Sequence, residues 1–155
     1  MGSINVIQIS EEPVSKAERL QYSQLWEDST YNEKTDYDKE EVPWKEAVSA
    51  LRAVLKPIAT VDAKKRTITF LDRETVKATY FKSVTDSVEQ FKKAIDEQKY
   101  TMADYWLRTQ MEKACGIDDL FHHHYCKPAS TVITEYLAGY LPQTLHVGAV
   151  LCAHS

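Results

Sequence analysis

A chain of 155 residues with 43% hydrophobic and 27% charged residues has the size and composition of one globular domain. Four glycines are too few for a glycine-rich phosphate loop, and a net charge of -4 without a long basic run argues against direct binding of nucleic acid. No run approaches the roughly 20 apolar residues of a membrane-spanning helix. A secretory signal pattern is also missing and the cysteine count is odd, so we expect a cytoplasmic protein that does not bind membranes.

The first third of the chain predicts a strand, a weak helix and a loop. Residues 4–10 are rich in β-branched side chains, which favours a strand buried on both faces, and Pro13 ends it. Residues 14–28 have a thin apolar stripe at helical spacing. Residues from about 29 to 41 show no periodicity and contain several turn formers, which predicts a flexible acidic loop.

The middle of the chain predicts a helix, a β-hairpin and a long helix. Pro43 suits a first helical turn, and a continuous apolar stripe follows it until Pro57. Residues 58–61 and 67–71 predict two strands joined by a charged connection, with one side in the core. Asp72 can then cap a helix over residues 73–98, whose apolar residues recur at three- and four-residue steps.

The last part predicts three helices and a strand. Thr101 can cap a helix that carries bulky apolar residues on one side and ends at Gly116. Asp118 begins a short helix as far as Cys126, and Ser130 caps the next. The apolar tail from residue 144 favours a buried strand. The prediction is a single α+β domain, in which a small, mainly antiparallel sheet of the N-terminal strand, the central hairpin and the C-terminal strand is covered by several helices.

The segment CGIDDLFHHHYC, from Cys115 to Cys126, holds three of the five histidines and two of the three cysteines. Cys115, His122 and Cys126 could bind a metal together with residues of the tail, but structural zinc sites usually have paired cysteines at short spacing, and these do not. We therefore expect no metal or other cofactor. Phe121, Tyr125 and Cys126 are expected to face inward, with the histidines at the surface.

A cysteine nucleophile is the second chemical hypothesis for this segment. Cys126 with His122, or Cys152 with His146 or His154, could form a thiol and imidazole pair. These positions match no catalytic signature, and a thiol in a buried run is usually inert. A metal-dependent or cysteine-dependent enzyme that uses residues 115–126 and the tail is thus the alternative hypothesis, and the sequence identifies no catalytic residue.

The region of residues 11–42 holds ten acidic residues against four basic ones. Aromatic residues lie among these acids, and such residues commonly anchor protein interfaces. A surface of this kind could bind a basic patch on another protein, including one that normally holds nucleic acid. The alternative is that the charges only solvate a loop and that Trp44 belongs to the core. The partner-binding residues of this hypothesis are Trp26, Tyr31, Asp36, Tyr37, Asp38, Glu40 and Glu41.

The stretches EEVPWKEAVSALRAVLKPIATVD and TEYLAGYLPQTLHVGAVLCAHS resemble parts of small uncharacterised accessory proteins of bacterial mobile elements such as conjugative transposons and phages. The resemblance carries no catalytic motif. It implies a small accessory protein, and some proteins of that kind inhibit host restriction or CRISPR nucleases by occupying their nucleic-acid sites. The leading hypothesis is therefore a non-enzymatic module that binds another protein, such as a nuclease, through the acidic surface.

Overall fold

The computed structural model describes residues 3–21, 24, 36–107 and 119–154. The strands in these ranges are β1 (Ser3–Ser10), β2 (Asp36–Glu41), β3 (Ala59–Asp62), β4 (Thr67–Phe70), β5 (Leu120–His123), β6 (Tyr125–Pro128) and β7 (Thr144–His154). The helices are α1 (Trp44–Leu55), α2 (Arg73–Asp96), α3 (Tyr100–Tyr105) and α4 (Ala129–Leu137), and a single 3-10 turn covers Lys16–Glu18. The fold is α+β, which confirms the class predicted from the sequence.

One sheet contains all of these strands, and β7 lies at its centre. β7 runs antiparallel to β1 along one edge, and along its other edge it pairs antiparallel with β4 and with β2. β3 extends the sheet beyond β4, while β5 and β6 extend it beyond β1. The β1 and β5 pair is parallel. The mainly antiparallel sheet is therefore confirmed, whereas β2, β5 and β6 are strands that the sequence did not predict.

The elements of the middle of the chain lie close to their predicted positions. β3 and β4 form the expected hairpin, in which Val61 pairs with Ile68. Asp72 caps α2, because its Oδ1 accepts a hydrogen bond from the Thr75 amide at 2.9 Å. Pro43 stands at the cap position of α1 rather than inside its first turn. Local signals thus located these elements to within a residue or two.

The main core lies on one face of the sheet. α1, the first turns of α2 and α4 cover this face and bury apolar side chains against the strands. Tyr136 of α4 is among the largest fully buried residues, and its ring stacks on Phe70 at 4.5 Å between centroids. Its hydroxyl donates to the carbonyl of Leu71 at 2.8 Å, which satisfies the one polar atom of the side chain. The opposite face buries a smaller apolar cluster, made of Val6, Leu20, Cys126, Ala149 and Leu151.

Three of the predicted helices need correction. α3 begins at Tyr100 and α4 at Ala129, so Thr101 and Ser130 lie inside these helices rather than at their caps. The helix predicted over residues 14–28 is described at residues 14–21 and 24. In these residues a 3-10 turn covers Lys16–Glu18, and position 24 is helical. Gly116, the predicted stop of the α3 helix, lies outside the described residues. None of the described helices is both long enough and apolar enough to cross a membrane.

Candidate functional site

The three consecutive histidines lie on a β-hairpin. β5 and β6 pair antiparallel around His124, which forms the turn with a φ of 69°. The helix predicted from Asp118 to Cys126 is therefore wrong over residues 120–126. β5 also pairs in parallel with β1, where Phe121 lies beside Ile7. The edge of β1 supplies backbone partners that an isolated short helix would lack, so tertiary pairing outweighs the local preference.

His122 and Cys126 are neighbours, although for a different reason than the sequence suggested. They lie directly opposite each other across the β5–β6 hairpin rather than one turn apart on a helix. Such a pair projects from the same face of a sheet. Cys115 lies outside the described residues, and within the described ranges no three His, Cys, Asp or Glu side chains are grouped so that they could hold a metal ion. The three-residue metal hypothesis therefore stays a prediction.

The packing of the hairpin matches the expectation only in part. Phe121 and Cys126 are buried, as predicted, and Cys126 belongs to the smaller apolar cluster. Tyr125 is 55% exposed, so the prediction that it packs inward is wrong. Its ring lies 4.7 Å from the ammonium of Lys127, a cation–π contact. A thiol buried among apolar side chains, as in Cys126, is usually unreactive, which weighs against a nucleophilic role.

The histidine turn borders a surface cleft of about 480 Å³. The end of β1 and the segment after it form the opposite wall, where Glu11 and Glu18 lie. The rings of His123 and His124 are 4.5 Å apart between centroids. Partial burial, followed by the positive charges of His124 and Lys127, lowers the pKa of His123, and Glu11 opposes this effect. The cleft thus combines imidazole rings with carboxylates, a set that suits hydrogen bonding to a polar ligand.

The acidic residues 36–41 form strand β2, so the prediction of a loop is wrong there. β2 pairs antiparallel with β7, where Tyr37 lies beside Ala153, and an irregularity follows before Glu41 pairs with Leu151. The carbonyl of Val150 also accepts a hydrogen bond from Val42 at 2.9 Å. An available edge of the central strand explains why an acidic sequence without a strand pattern becomes extended. Residues 29–35 of the predicted loop lie outside the described residues.

The predicted partner-binding residues divide into two groups. Trp26 and Tyr31 lie outside the described residues. Asp36, Tyr37, Asp38, Glu40 and Glu41 share β2, and Glu41 is exposed. In the part of the chain that the structure describes, β2 pairs with no strand other than β7, so its outer backbone edge is open. An open edge presents unpaired N–H and C=O groups to a partner.

Trp44, which the sequence assigned either to the core or to the acidic surface, packs against the main core. Its indole N–H donates to the carbonyl of Ala63 at 2.9 Å. The guanidinium of Arg66 lies over its ring, with 4.0 Å between Cζ and the ring centroid. The alternative that Trp44 belongs to the core is thus the better description.

The turn between α2 and α3 carries an exposed apolar surface that the sequence did not reveal. This elbow patch consists of Ile95, Tyr100, Met102, Tyr105 and Leu107, all of which are exposed. Met102 and Tyr105, which belong to the bulky apolar side that the sequence predicted for this helix, are both exposed. The sequence contained one signal of this exposure. Tyr100 lies on the other side of the helix from Met102 and Tyr105, so a single packing partner cannot cover all three side chains. Tyrosine and methionine are enriched at protein interfaces.

Comparison of the chain with known protein families, with curated proteins and with solved structures found no match.

Proposed function

We propose that the protein is a non-enzymatic interaction module that binds a basic, extended segment of another protein along strand β2. The observation that carries this proposal is the acidic strand β2, which among the described residues pairs with no strand other than β7. Four of its six residues are acidic and one is basic. An edge of this kind can accept an additional strand through its backbone groups, and the side chains of the added strand then provide specificity.

The charge of β2 selects among the strands that could pair with it. A second copy of the same strand would place like charges opposite each other, which destabilises the pair and protects the edge against self-association. A strand rich in lysine and arginine would place opposite charges there, and it would also be steered toward the edge by the electrostatic field. The same acids therefore disfavour aggregation and favour a basic partner.

The anchoring of β2 supports this proposal. The strand is hydrogen-bonded to β7, the central strand of the sheet, through paired residues at both of its ends. A rigid edge binds with a smaller loss of conformational entropy than a loop that must order first. The function therefore does not require the flexible loop that the sequence predicted for these residues.

The resemblance to accessory proteins of mobile elements suggests what kind of protein the partner is. We expect a cytoplasmic nuclease or another host protein that handles nucleic acid, bound at its basic surface. Occupation of that surface would inhibit the host protein, and the module itself would touch no nucleic acid. An enzyme that uses the histidine hairpin remains the competing hypothesis, and the buried position of Cys126 speaks against a cysteine nucleophile.

The test is a charge reversal confined to β2. A variant with Asp36, Asp38, Glu40 and Glu41 changed to lysine is titrated against a lysine-rich and arginine-rich peptide of strand length, alongside the unmodified protein. We expect at least a tenfold loss of affinity, because four opposite-charge pairs become like-charge pairs. A control variant carries the same number of reversals at the exposed residues Glu12, Glu46, Glu89 and Asp96, which gives an equal change in net charge.

The control variant distinguishes peptide binding at β2 from a general effect of net charge on peptide affinity. If both variants lose affinity equally, the peptide binds to net charge rather than to β2, and the proposal fails. The proposal also fails if amide signals of β2 do not shift when the peptide binds to the unmodified protein. Salt must weaken the binding, because the pairs lie at a solvated edge.

A further inference from the structure

A cleft of about 460 Å³ lies between α1 and the connection that joins β3 to β4. Its helical wall is a stripe of α1 from Trp44 to Arg52, which extends over about two turns, or about 12 Å. The residues that line the cleft are Trp44, Lys45, Val48, Ser49, Arg52 and, on the connection, Ala63. Small-molecule sites in proteins have volumes of roughly 300–1,000 Å³, so the cleft can hold a ligand laid along the helix.

The apolar walls of the cleft are held in place by the fold. Val48 is buried in the main core, and Trp44 and Ala63 are half-buried. The indole N–H of Trp44 donates to the carbonyl of Ala63 at 2.9 Å, which joins α1 to the connection opposite it. The guanidinium of Arg66 lies 4.0 Å from the centroid of the Trp44 ring and supports it. A ligand would therefore meet walls that need no ordering when it binds.

Two basic side chains add charge to this apolar cleft. Arg52 is oriented by the carbonyl of Val61, to which its Nη2 and Nε donate at 3.0 Å and 3.3 Å. A guanidinium has five N–H donors, so three remain for a ligand. Lys45 and Arg52 are exposed, and neither forms an ion pair between described residues. Among these residues no acid lines the cleft, so its charge is opposite in sign to the net charge of -4 of the chain.

We propose that this cleft binds a small organic acid, with its carboxylate on Arg52 and its apolar body against Trp44 and Val48. A guanidinium matches a carboxylate through paired N–H donors, and the guanidinium of Arg52 is already oriented. Lys45 adds a second positive charge, which favours an anion and disfavours an amine of the same shape. The apolar walls favour an acid with a hydrocarbon body over a bare anion, because that body leaves water. The site does not depend on the function proposed for β2.

The probe for this site is octanoate, which combines one carboxylate with a hydrocarbon chain. It is titrated into the unmodified protein at constant ionic strength and followed by amide and indole NMR signals. Saturable shifts are expected for the indole N–H of Trp44 and for the amides of Ser49 and Ala63. Octanol lacks the charge and acetate lacks the hydrocarbon chain, so each should bind at least tenfold more weakly than octanoate.

Arg52→Met should weaken the binding of octanoate at least tenfold, because it removes the partner of the carboxylate. Arg73→Met is the matched control. Arg73 also donates to a carbonyl, that of Tyr136 at 3.0 Å, and its guanidinium also lies over an aromatic ring, but it does not line the cleft. The affinity of Arg73→Met for octanoate should stay within twofold of that of the unmodified protein.

A second pair of variants tests the site without removing a native contact. Ser49 is exposed on α1, so a polar substitution there should leave the fold intact. Ser49→Glu places a carboxylate three residues from Arg52 and four from Lys45, where it competes with the ligand and should weaken octanoate binding at least tenfold. Ser49→Gln introduces a side chain of nearly the same size without the charge, and its affinity should stay within threefold.

Several results would overturn the proposal. Octanol bound as tightly as octanoate would mean that the carboxylate is not recognised, and acetate bound as tightly would mean that the apolar walls contribute nothing. Shifts that do not saturate, or that spread over the sheet, would show adsorption rather than a site. Unchanged affinity in Arg52→Met or in Ser49→Glu would mean that octanoate binds elsewhere on the protein. Should Arg52→Met fail to fold, the comparison of Ser49→Glu with Ser49→Gln decides.

Discussion

At the scale of single residues, Gln8 and Gly148 determine how β1 and β7 fit together. Gln8 satisfies the amide of Ala149, which the irregular pairing would otherwise leave without a partner. It also bonds the amide of Leu20 and the carbonyl of Glu18 in the segment after β1. A Cβ added at Gly148 would overlap the Gln8 side chain, at Oε1 and Cδ. Gly148 is therefore required for space rather than for an unusual backbone angle. The sequence shows both residues, but nothing in it indicates that they meet.

We predict that Gly148→Ala lowers the free energy of unfolding by about 1–3 kcal/mol, because the methyl group displaces the Gln8 carboxamide and leaves buried amides without an acceptor. Urea unfolding measures this change. In a protein that already carries Gln8→Ala, the same substitution should cost much less, since the overlap is gone. Additive costs of the two substitutions would contradict the proposed contact.

At the scale of elements, a buried ion pair fixes the histidine hairpin to α4. Lys127 of β6 has 6% of its side chain exposed, and its ammonium lies 3.3 Å from both carboxylate oxygens of Glu135, whose side chain is 24% exposed. A lysine in a short polar segment is ordinarily read as a surface residue. The burial follows from the hairpin, which turns Lys127 toward the helix that begins two residues later.

We predict that Glu135→Gln destabilises the protein by about 1–3 kcal/mol, below the range for fully buried pairs because Glu135 keeps contact with water. The substitution leaves the Lys127 ammonium buried without its counter-charge. Adding Lys127→Met to this variant should recover most of the loss, since the buried charge is then removed as well. Chemical denaturation of the unmodified protein and of the two variants tests this, and a double variant less stable than Glu135→Gln would contradict it.

The elements also differ in how far the sequence could determine them. α1, α2 and the β3–β4 hairpin carry their own signals, such as the stripe after Pro43 and the cap at Asp72, and these signals act within a few residues. β2, β5 and β6 carry no such signal. β2 is extended because it pairs with the edge of β7, β5 because it pairs with β1, and β6 because it pairs with β5. Neither the acidic composition of β2 nor the three consecutive histidines indicated this.

At the scale of the whole molecule, β7 joins the most distant parts of the chain. It pairs with β1 from the start of the chain and with β2 and β4 from its middle. Val147 and Val150 of β7 lie in the main core, while Ala149 and Leu151 lie in the smaller cluster. The end of α2 lies away from these clusters and packs against α3, and Ile95 is exposed there. Stability should therefore be uneven across the molecule.

We predict that the amides of β7 from Val147 to Leu151 exchange with deuterium only through global unfolding. The amides of residues 91–96 in α2 should exchange through local opening, at a free energy at least about 2 kcal/mol lower. Native-state hydrogen exchange measures both. The amides of α1 near Leu51 serve as an internal control, because that helix packs on the sheet and should resemble β7. Equal protection of residues 91–96 and β7 would contradict this prediction, because the end of α2 would then unfold together with the sheet.

The sequence by itself determined the α+β class, the hairpin of the middle region, the capped helix α2 and the first and last strands. Each depends on periodicity or on a cap, which are interactions between near neighbours in the chain. Tertiary structure alone decided that the acidic segment is a strand, that the histidines form a hairpin, and that Arg66 donates to two carbonyls of β7. These features depend on pairing between distant parts of the chain, such as Ser3 with His154, which lie 151 positions apart, and no local pattern encodes them.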